Sequence, residues 1–232
     1  MSDAVFVIQA RLGSTRFPRK MLAPLAGKPL IEWVVERVLR SRFAHDVVVA
    51  TTDSPDDDDL VAAVAKYPVR VHRGPSEDVL TRFGDAVRSS TARHVVRICA
   101  DNPFIDPVCL DTLVVDHLDT NGAYTFNHRP HGECDYADGL GAEIIERTVF
   151  DALVRDARDR IHREHVTLAI VDGTVAAKQR GLRAPEIWRQ PALRLDVDTP
   201  DDLRRLERIV ATGALTATSS AADVVAAALA SP

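Results

Sequence analysis

The sequence has few cysteines, no excess of positive charge and no long apolar run, and each shortage removes a class of protein. Cys99, Cys109 and Cys134 are odd in number, widely spaced and without a Cys-x-x-Cys pair. That pattern argues against a disulfide framework and a zinc ribbon, and suits reduced thiols. With 29 Lys and Arg against 34 Asp and Glu, the formal charge is −5, so the dominant basic surface of a general nucleic-acid binder is missing. No stretch approaches the ~18 apolar residues of a membrane span, and the first residues lack the features of a secretory leader. A cytoplasmic protein with neither nucleic-acid nor membrane partners is therefore expected. Two common phosphate-binding signatures are also absent: neither Gly-x-x-x-x-Gly-Lys-Ser/Thr nor Gly-x-Gly-x-x-Gly occurs. What the composition does allow is a full core, since 232 residues with 46% hydrophobic and 27% charged content suit a single globular domain over 1–232.

Apolar, β-rich runs at 4–8, 46–50, 69–72 and 94–99 alternate with helical patterns. Ile31, Val34, Val35, Val38 and Leu39 recur at the spacing of one buried helix face. Further helices are expected over 58–65, 77–89 and 107–119. Strands separated by helices predict an α/β fold, a mostly parallel sheet covered on both faces. Ligands of such sheets sit beyond the C-terminal strand ends. The pattern loosens over 121–182, with strands expected at 123–126 and 142–145 around a polar loop, a largely helical 147–171 and a strand at 173–182. This segment reads as a substrate-side or dimerisation insertion. A last strand is expected at 193–197. The helix after it opens with Thr199 as cap, Pro200 in the first turn and Asp201 and Asp202 suited to the helix dipole. The tail 219–230 is expected to be helical.

The chemistry concentrates after the first strand. Arg11, Arg16, Arg19 and Lys20 supply charge-assisted donors, Ser14 and Thr15 add hydroxyls, and Gly13 lets the backbone turn toward a ligand. Such a loop suits a polyphosphate. The acids at 56–59, following Pro55 at the mouth of a helix, are explained by capping and dipole effects. Asp101 follows the strand at 94–99 and should emerge at its C-terminal edge. If 193–197 is a strand, alternation sets Asp196 and Asp198 on one side. Arg73 and the amides after it open another helix and could hold a ligand's polar edge.

The run over 8–30 resembles the nucleotide-binding loop of the sugar-acid cytidylyltransferases, the family of the 3-deoxy-manno-octulosonate and acylneuraminate enzymes. It is most similar to their spore coat polysaccharide biosynthesis protein F branch. Arg19 stands where relatives commonly carry Gly, and Ala100 where a Gly is usual. The resemblance extends in order through Asp101, the Arg163-Glu164-His165-Val166-Thr167 run and Asp198-Thr199-Pro200. It implies a three-layer α/β/α nucleotidyltransferase of the GT-A or Rossmann-like kind that transfers CMP from CTP to an anionic acceptor, such as a sugar acid, with release of pyrophosphate.

Residue by residue, the resemblance implies nucleotide contacts from Ala10, Arg11, Gly13, Ser14, Arg16 and Lys20, and from Arg73, Ser76 and Asp78 facing the base. Asp101 and Asp198 would hold Mg²⁺ or Mn²⁺, for which hard oxygen ligands are suited, so Arg11, Lys20, Asp101 and Asp198 form the expected catalytic set. Asp138, Glu143, Arg163, Glu164 and His165 would face the acceptor or a partner in a homodimer. Gly141 replaces an Asp common in the nearest branch, which leaves the acceptor open to phosphonates and phosphorylated acids. Two rivals stay open. A GT-A glycosyltransferase would use Asp196-Val197-Asp198 as a paired metal site, and a non-catalytic nucleotide-binding subunit would bind CTP without turnover.

Overall fold

The computed structural model describes residues 3–128 and 132–231. Its centre is a seven-stranded sheet in the order β5-β4-β1-β6-β8-β7-β9, beside a small hairpin of β2 and β3. The strands are β1 (Ala4–Gln9), β2 (Pro24–Leu25), β3 (Lys28–Pro29), β4 (Val47–Thr52), β5 (Arg70–Gly74), β6 (His94–Cys99), β7 (Tyr124–Phe126), β8 (Glu143–Glu146) and β9 (Gln179–Gly181). The helices are α1 (Leu30–Val38), α2 (Asp58–Val64), α3 (Val79–Ala86), α4 (Pro107–Asp119), α5 (Arg147–Asp156), α6 (Arg160–Glu164), α7 (Leu168–Val171), α8 (Pro200–Gly213) and α9 (Ala221–Ala230). Three-residue 3₁₀ turns begin at Lys20, Pro55 and Glu186.

The four strands that the first half gives to the central sheet, β1, β4, β5 and β6, are parallel, as the alternation with helices predicts. Val5, Phe6, Val7 and Ile8 of β1 are fully buried because β1 lies between two neighbours and under helices on both faces. Helix α1 packs with α2 and α4, whereas α3 packs with α5 and α6, giving the outer layers. Among the sheet's strands β8 runs against the rest, paired antiparallel to both β6 and β7.

The segment 121–182 is not set apart from the sheet: it supplies β7, β8 and β9 and so completes one side of it. Its expected long helix is broken into α5, α6 and α7, and its late strand shrinks to Gln179–Gly181. Part of the polar loop expected there, 129–131, lies outside the described residues. The run 193–197 does not enter the sheet. It is held by one bridge, Asp138 with Arg194, and by the Val197 amide donating to the Asp101 carbonyl at 2.9 Å. Its apolar residues Leu195 and Val197 are fully buried all the same, which explains its strand-like pattern.

Helix starts match their sequence signals. Asp106 caps α4, with Pro107 in the first turn, and accepts from the amides of Val108 and Cys109 at 2.8 and 3.2 Å. Thr199 and Asp202 form a reciprocal capping box at α8, and Ser220 with Asp223 repeats it at α9. Arg37 of α1, wholly buried, ties these regions together through the carbonyls of Ile105, Ala217 and Ser219 at 2.6, 3.1 and 2.8 Å and through Asp106. No helix among the described residues is long and apolar enough to cross a membrane.

Candidate functional site

The basic loop leaves the C-terminal end of β1 and is pinned from beneath. Asp57, 1% exposed, accepts the Leu12 amide at 2.7 Å on one oxygen and the Thr51 hydroxyl and Thr52 amide at 2.7 and 3.0 Å on the other. Burial alone would raise its pKa, but these donors hold the carboxyl below the usual range. One of the four acids at 56–59 is thus a buried strut for the loop. The Leu12 carbonyl in turn accepts from the Ser14 and Arg19 amides at 2.8 and 3.0 Å, which folds the loop back on itself. Arg19 takes a left-handed backbone conformation, φ 59°, at the position where relatives commonly carry the residue best able to adopt it. Its guanidinium turns outward to Asp59.

Beyond that turn Lys20 reaches the ends of two other segments. Its Nζ lies 2.8 Å from the Val197 carbonyl, 3.2 Å from Asp101 Oδ2 and 3.3 Å from Asp198 Oδ1. Arg16 meets the other oxygen of Asp198 at 2.9 Å. Asp101 arrives from the end of β6, and Asp198 is fixed by its own amide donating to Asp202 Oδ2 at 3.1 Å. Burial would raise the Asp202 pKa, but hydrogen bonds from Thr199 and Asp198 hold it below the usual range. The capping box of α8 therefore also orients Asp198.

Asp101 and Asp198 stand between two cavities. The smaller, about 270 Å³, is walled by Arg11, Gly13, Ser14, Arg16 and Lys20 together with Ala10. The larger, about 460 Å³, is lined by Arg97, Asp138, His165, Thr167, Arg194 and Asp196, with Ile161 and Leu168 as an apolar flank. Asp101 and Asp198 line both. Each volume is of the size that takes a small molecule or a large part of one.

The residues expected to face the base are differently employed. The Arg73 guanidinium is taken up by the Thr52 and Ser54 carbonyls and by Asp58 at 3.0, 2.6 and 2.6 Å. Ser76 presents its carbonyl to Arg11 at 3.4 Å and to the buried Arg82 at 3.3 Å. Asp78 caps α3 and accepts from Arg163 at 2.8 Å, and although burial would raise its pKa, the hydrogen bonds from Arg163 and Thr81 keep it low.

On the acceptor side the structure brings Asp138 and His165 to the larger cavity but not Glu143, Arg163 or Glu164. Glu143 is 1% exposed and binds Arg97, the Tyr124 hydroxyl and the Thr167 hydroxyl. Burial would push its pKa up, yet the Arg97 guanidinium, His128 and the Tyr124 hydrogen bond bring it down to about 2. Arg163 spends its donors on Asp78, Thr81 and the Ala157 carbonyl. Glu164 is half-buried on α6. His162, on the same helix, packs against Asp172 at 2.7 Å.

Sequence reasoning missed Arg97, Arg194 and Asp57. A cation inside the otherwise apolar strand His94–Cys99 was a legible sign of a buried partner; for Asp57 among four neighbouring acids there was none. Asp196 and Asp198 do not form a joint pair, because Asp196 gives both oxygens to Arg194 at 3.1 and 2.6 Å while Asp198 turns to Lys20 and Arg16. The irregular backbone at 193–197 explains the departure from strand alternation.

Known proteins resemble this chain in sequence and fold. The chain is 36% identical over 214 residues to the spore coat polysaccharide biosynthesis protein SpsF of Bacillus subtilis, covering 90% of this chain and 87% of that one. It is 31% identical to a 3-deoxy-manno-octulosonate cytidylyltransferase of Anaeromyxobacter dehalogenans, covering 92% of this chain and all of the relative. A solved cytidylyltransferase from Leptospira borgpetersenii superposes with a TM-score of 0.88 at 28% identity, over 97% of this chain and 93% of that structure. The cytidylyltransferase family profile matches residues 5–211, a span that takes in the basic loop, Asp101, Asp198 and most of α8. With its loop, its two carboxylates and its sheet all inside that match, the chain belongs to the cytidylyltransferase family of enzymes.

Proposed function

We propose that the protein transfers CMP from CTP to a sugar acid, releasing pyrophosphate, in the synthesis of a polysaccharide or glycoconjugate precursor. The observation that carries this is the placing of Asp101 and Asp198 between a small cation-walled cavity and a larger mixed one. The smaller cavity suits a triphosphate, with Arg11, Arg16 and Lys20 opposing the charge of the leaving pyrophosphate. The larger suits an acceptor, whose carboxylate would meet the remaining donors of Arg194, a side chain 60% exposed, and whose hydroxyls would meet Asp138, His165 and Thr167. A related enzyme named for a sugar-acid acceptor, 31% identical over nearly the whole chain, supports that acceptor class. Phosphonates and phosphorylated acids are the alternative acceptors.

Asp101 and Asp198 also fit a divalent cation, since one oxygen of each lies within 3.3 Å of a single point, now the Lys20 nitrogen. Among the described residues no third His, Cys, Asp or Glu joins them, which matches Mg²⁺ or Mn²⁺ held by two carboxylates with phosphate and water completing the shell. Bound there, the ion would spread the charge developing on the phosphate oxygens. The acceptor oxygen forms a bond to the α-phosphorus as the bond to the β-phosphate oxygen breaks in line. The hydroxyl proton passes to Asp101 or to water, and positioning and electrostatics supply most of the rate. The glycosyltransferase alternative loses support because Asp196 is committed to Arg194.

A pyrophosphate-release screen of the four nucleoside triphosphates against sugar acids, phosphonates and phosphorylated acids tests this. Release is expected with CTP plus a sugar acid, and CTP should exceed UTP by orders of magnitude, because a pocket built for the cytosine amine leaves polar groups unpaired with uracil. Comparable kcat/KM for both nucleotides, or release without any acceptor dependence, would contradict it. We also propose a homodimer, for which light scattering showing only a 25.4 kDa particle would be the contrary result.

A further inference from the structure

Lys20 occupies the point at which the two carboxylates meet. Its side chain is only 12% exposed, and its nitrogen touches Asp101, Asp198 and the Val197 carbonyl together. Arg16 covers the remaining oxygen of Asp198. Two negative and two positive side chains therefore balance one another at this junction. Yet Lys20 and Arg16 also wall the small cavity, so the cations that neutralise the carboxylates are the ones a polyphosphate there would attract. If they move onto the phosphates, Asp101 and Asp198 are left facing one position with no compensating charge. Carboxylates so placed repel unless a cation sits between them.

We propose that Lys20 is a built-in substitute for the divalent cation. In the nucleotide-free protein its ammonium closes the Asp101 and Asp198 pair to metal; a triphosphate in the small cavity draws it away and opens the cation site. Metal then binds with or after the nucleotide, not before it. A lysine suits this exchange, being a compact charge on a flexible stem whose three donors can change partners without a fixed fork geometry. The proposal rests on the functional reading above in placing the triphosphate beside Lys20 and the metal on the two carboxylates.

The test is Mn²⁺ binding to the full chain without nucleotide, followed by paramagnetic resonance of free Mn²⁺ and by calorimetry. The parent protein should bind Mn²⁺ weakly, and CTP should tighten it. Lys20→Met, which removes the charge and keeps the stem, should bind Mn²⁺ without nucleotide about ten-fold tighter or more, within the usual range of coupling between sites. Lys20→Arg should stay as weak as the parent, and Lys20→Gln repeats the measurement if the Met variant does not give a normal thermal melt. Equal Mn²⁺ affinity in the parent and in the uncharged variants would overturn the proposal. Adding Asp101→Asn and Asp198→Asn to Lys20→Met should abolish the gain; a gain that survives those changes would show instead that the carboxylates are not the metal ligands, and so would strike at the functional reading itself.

Discussion

On the small-cavity side of Asp101 and Asp198, Arg11 makes one long contact to the Ser76 carbonyl, the Arg16 side chain is 66% exposed, and Lys20 shares itself among three acceptors. Across the junction Arg97 is locked to Glu143 and Gln9, and Arg163 to Asp78, Thr81 and backbone carbonyls. Both sets are cations of one fold, yet Arg11, Arg16 and Lys20 face the small cavity while Arg97 and Arg163 are tied into networks within the protein. Arg11 and Arg16 can be recruited by a ligand without leaving a buried charge behind, whereas Lys20, whose side chain is 12% exposed, can leave the two carboxylates only if another cation takes its place. Cations in buried networks cannot be recruited, because breaking the network leaves an uncompensated charge in a low-dielectric interior.

Glu143→Ala should break the comparison most severely: it leaves Arg97 buried against a lost partner, and should cost about 3–5 kcal/mol of stability, read as a large fall in Tm. A loss under about 1 kcal/mol, the worth of an exposed pair, would place Glu143 among the exchangeable charges. The same network carries a pH signature. The folded pKa of Glu143, about 2, lies below its unfolded value of roughly 4.3. Its contribution to stability is therefore complete above that unfolded value and is lost as pH falls through the interval toward the folded one. Tm should decline over that acidic window, and Glu143→Gln should flatten that part of the decline.

Arg11→Ala should leave Tm nearly unchanged and Lys20→Ala should lower it by leaving Asp101 and Asp198 uncompensated, and each should lower kcat/KM for CTP by the equivalent of about 1.5–3 kcal/mol for a charge-assisted contact. Near-normal kinetics in both would remove the small cavity as the triphosphate site. Arg73→Ala sharpens the contrast within the nucleotide half. Because its guanidinium is taken by Thr52, Ser54 and Asp58, the CTP-to-UTP ratio should hold and stability should fall by only about 0–1 kcal/mol. A collapse of the ratio would mean that Arg73 changes partners when the base binds. Arg19→Gly should have the smallest effect, as relief of the left-handed backbone offsets the exposed pair with Asp59, with a net change within about 1 kcal/mol.

The same contrast explains what the sequence could reveal. Alternating periodicity exposed the parallel strands and α1, because fully buried Val and Ile runs between helical patterns have few other solutions. The meeting of Arg11, Lys20 and Asp101 at one cavity was legible because they follow β1 and β6 closely, and strand ends of such a sheet project the next residues to one edge. Roles in the second half were hidden. Whether Glu143 and Arg163 face a ligand or a buried partner depends on Arg97 and Asp78, which lie 46 and 85 residues away, and no local pattern encodes such distant pairing. The run 193–197 misled for a related reason, since burial alone can produce alternation where a bridge and one amide replace a strand ladder.

The central claim, transfer of the nucleotidyl group across the Asp101 and Asp198 junction, is tested most directly by following CTP labelled on the α-phosphate and, separately, on the γ-phosphate. With a sugar acid present, the α label should enter a product containing the acceptor and the γ label should appear only in pyrophosphate, with both events lost in Asp198→Asn at unchanged Tm. Transfer of the γ label to the acceptor, or an α label that never leaves CTP across the acceptor panel, would contradict it.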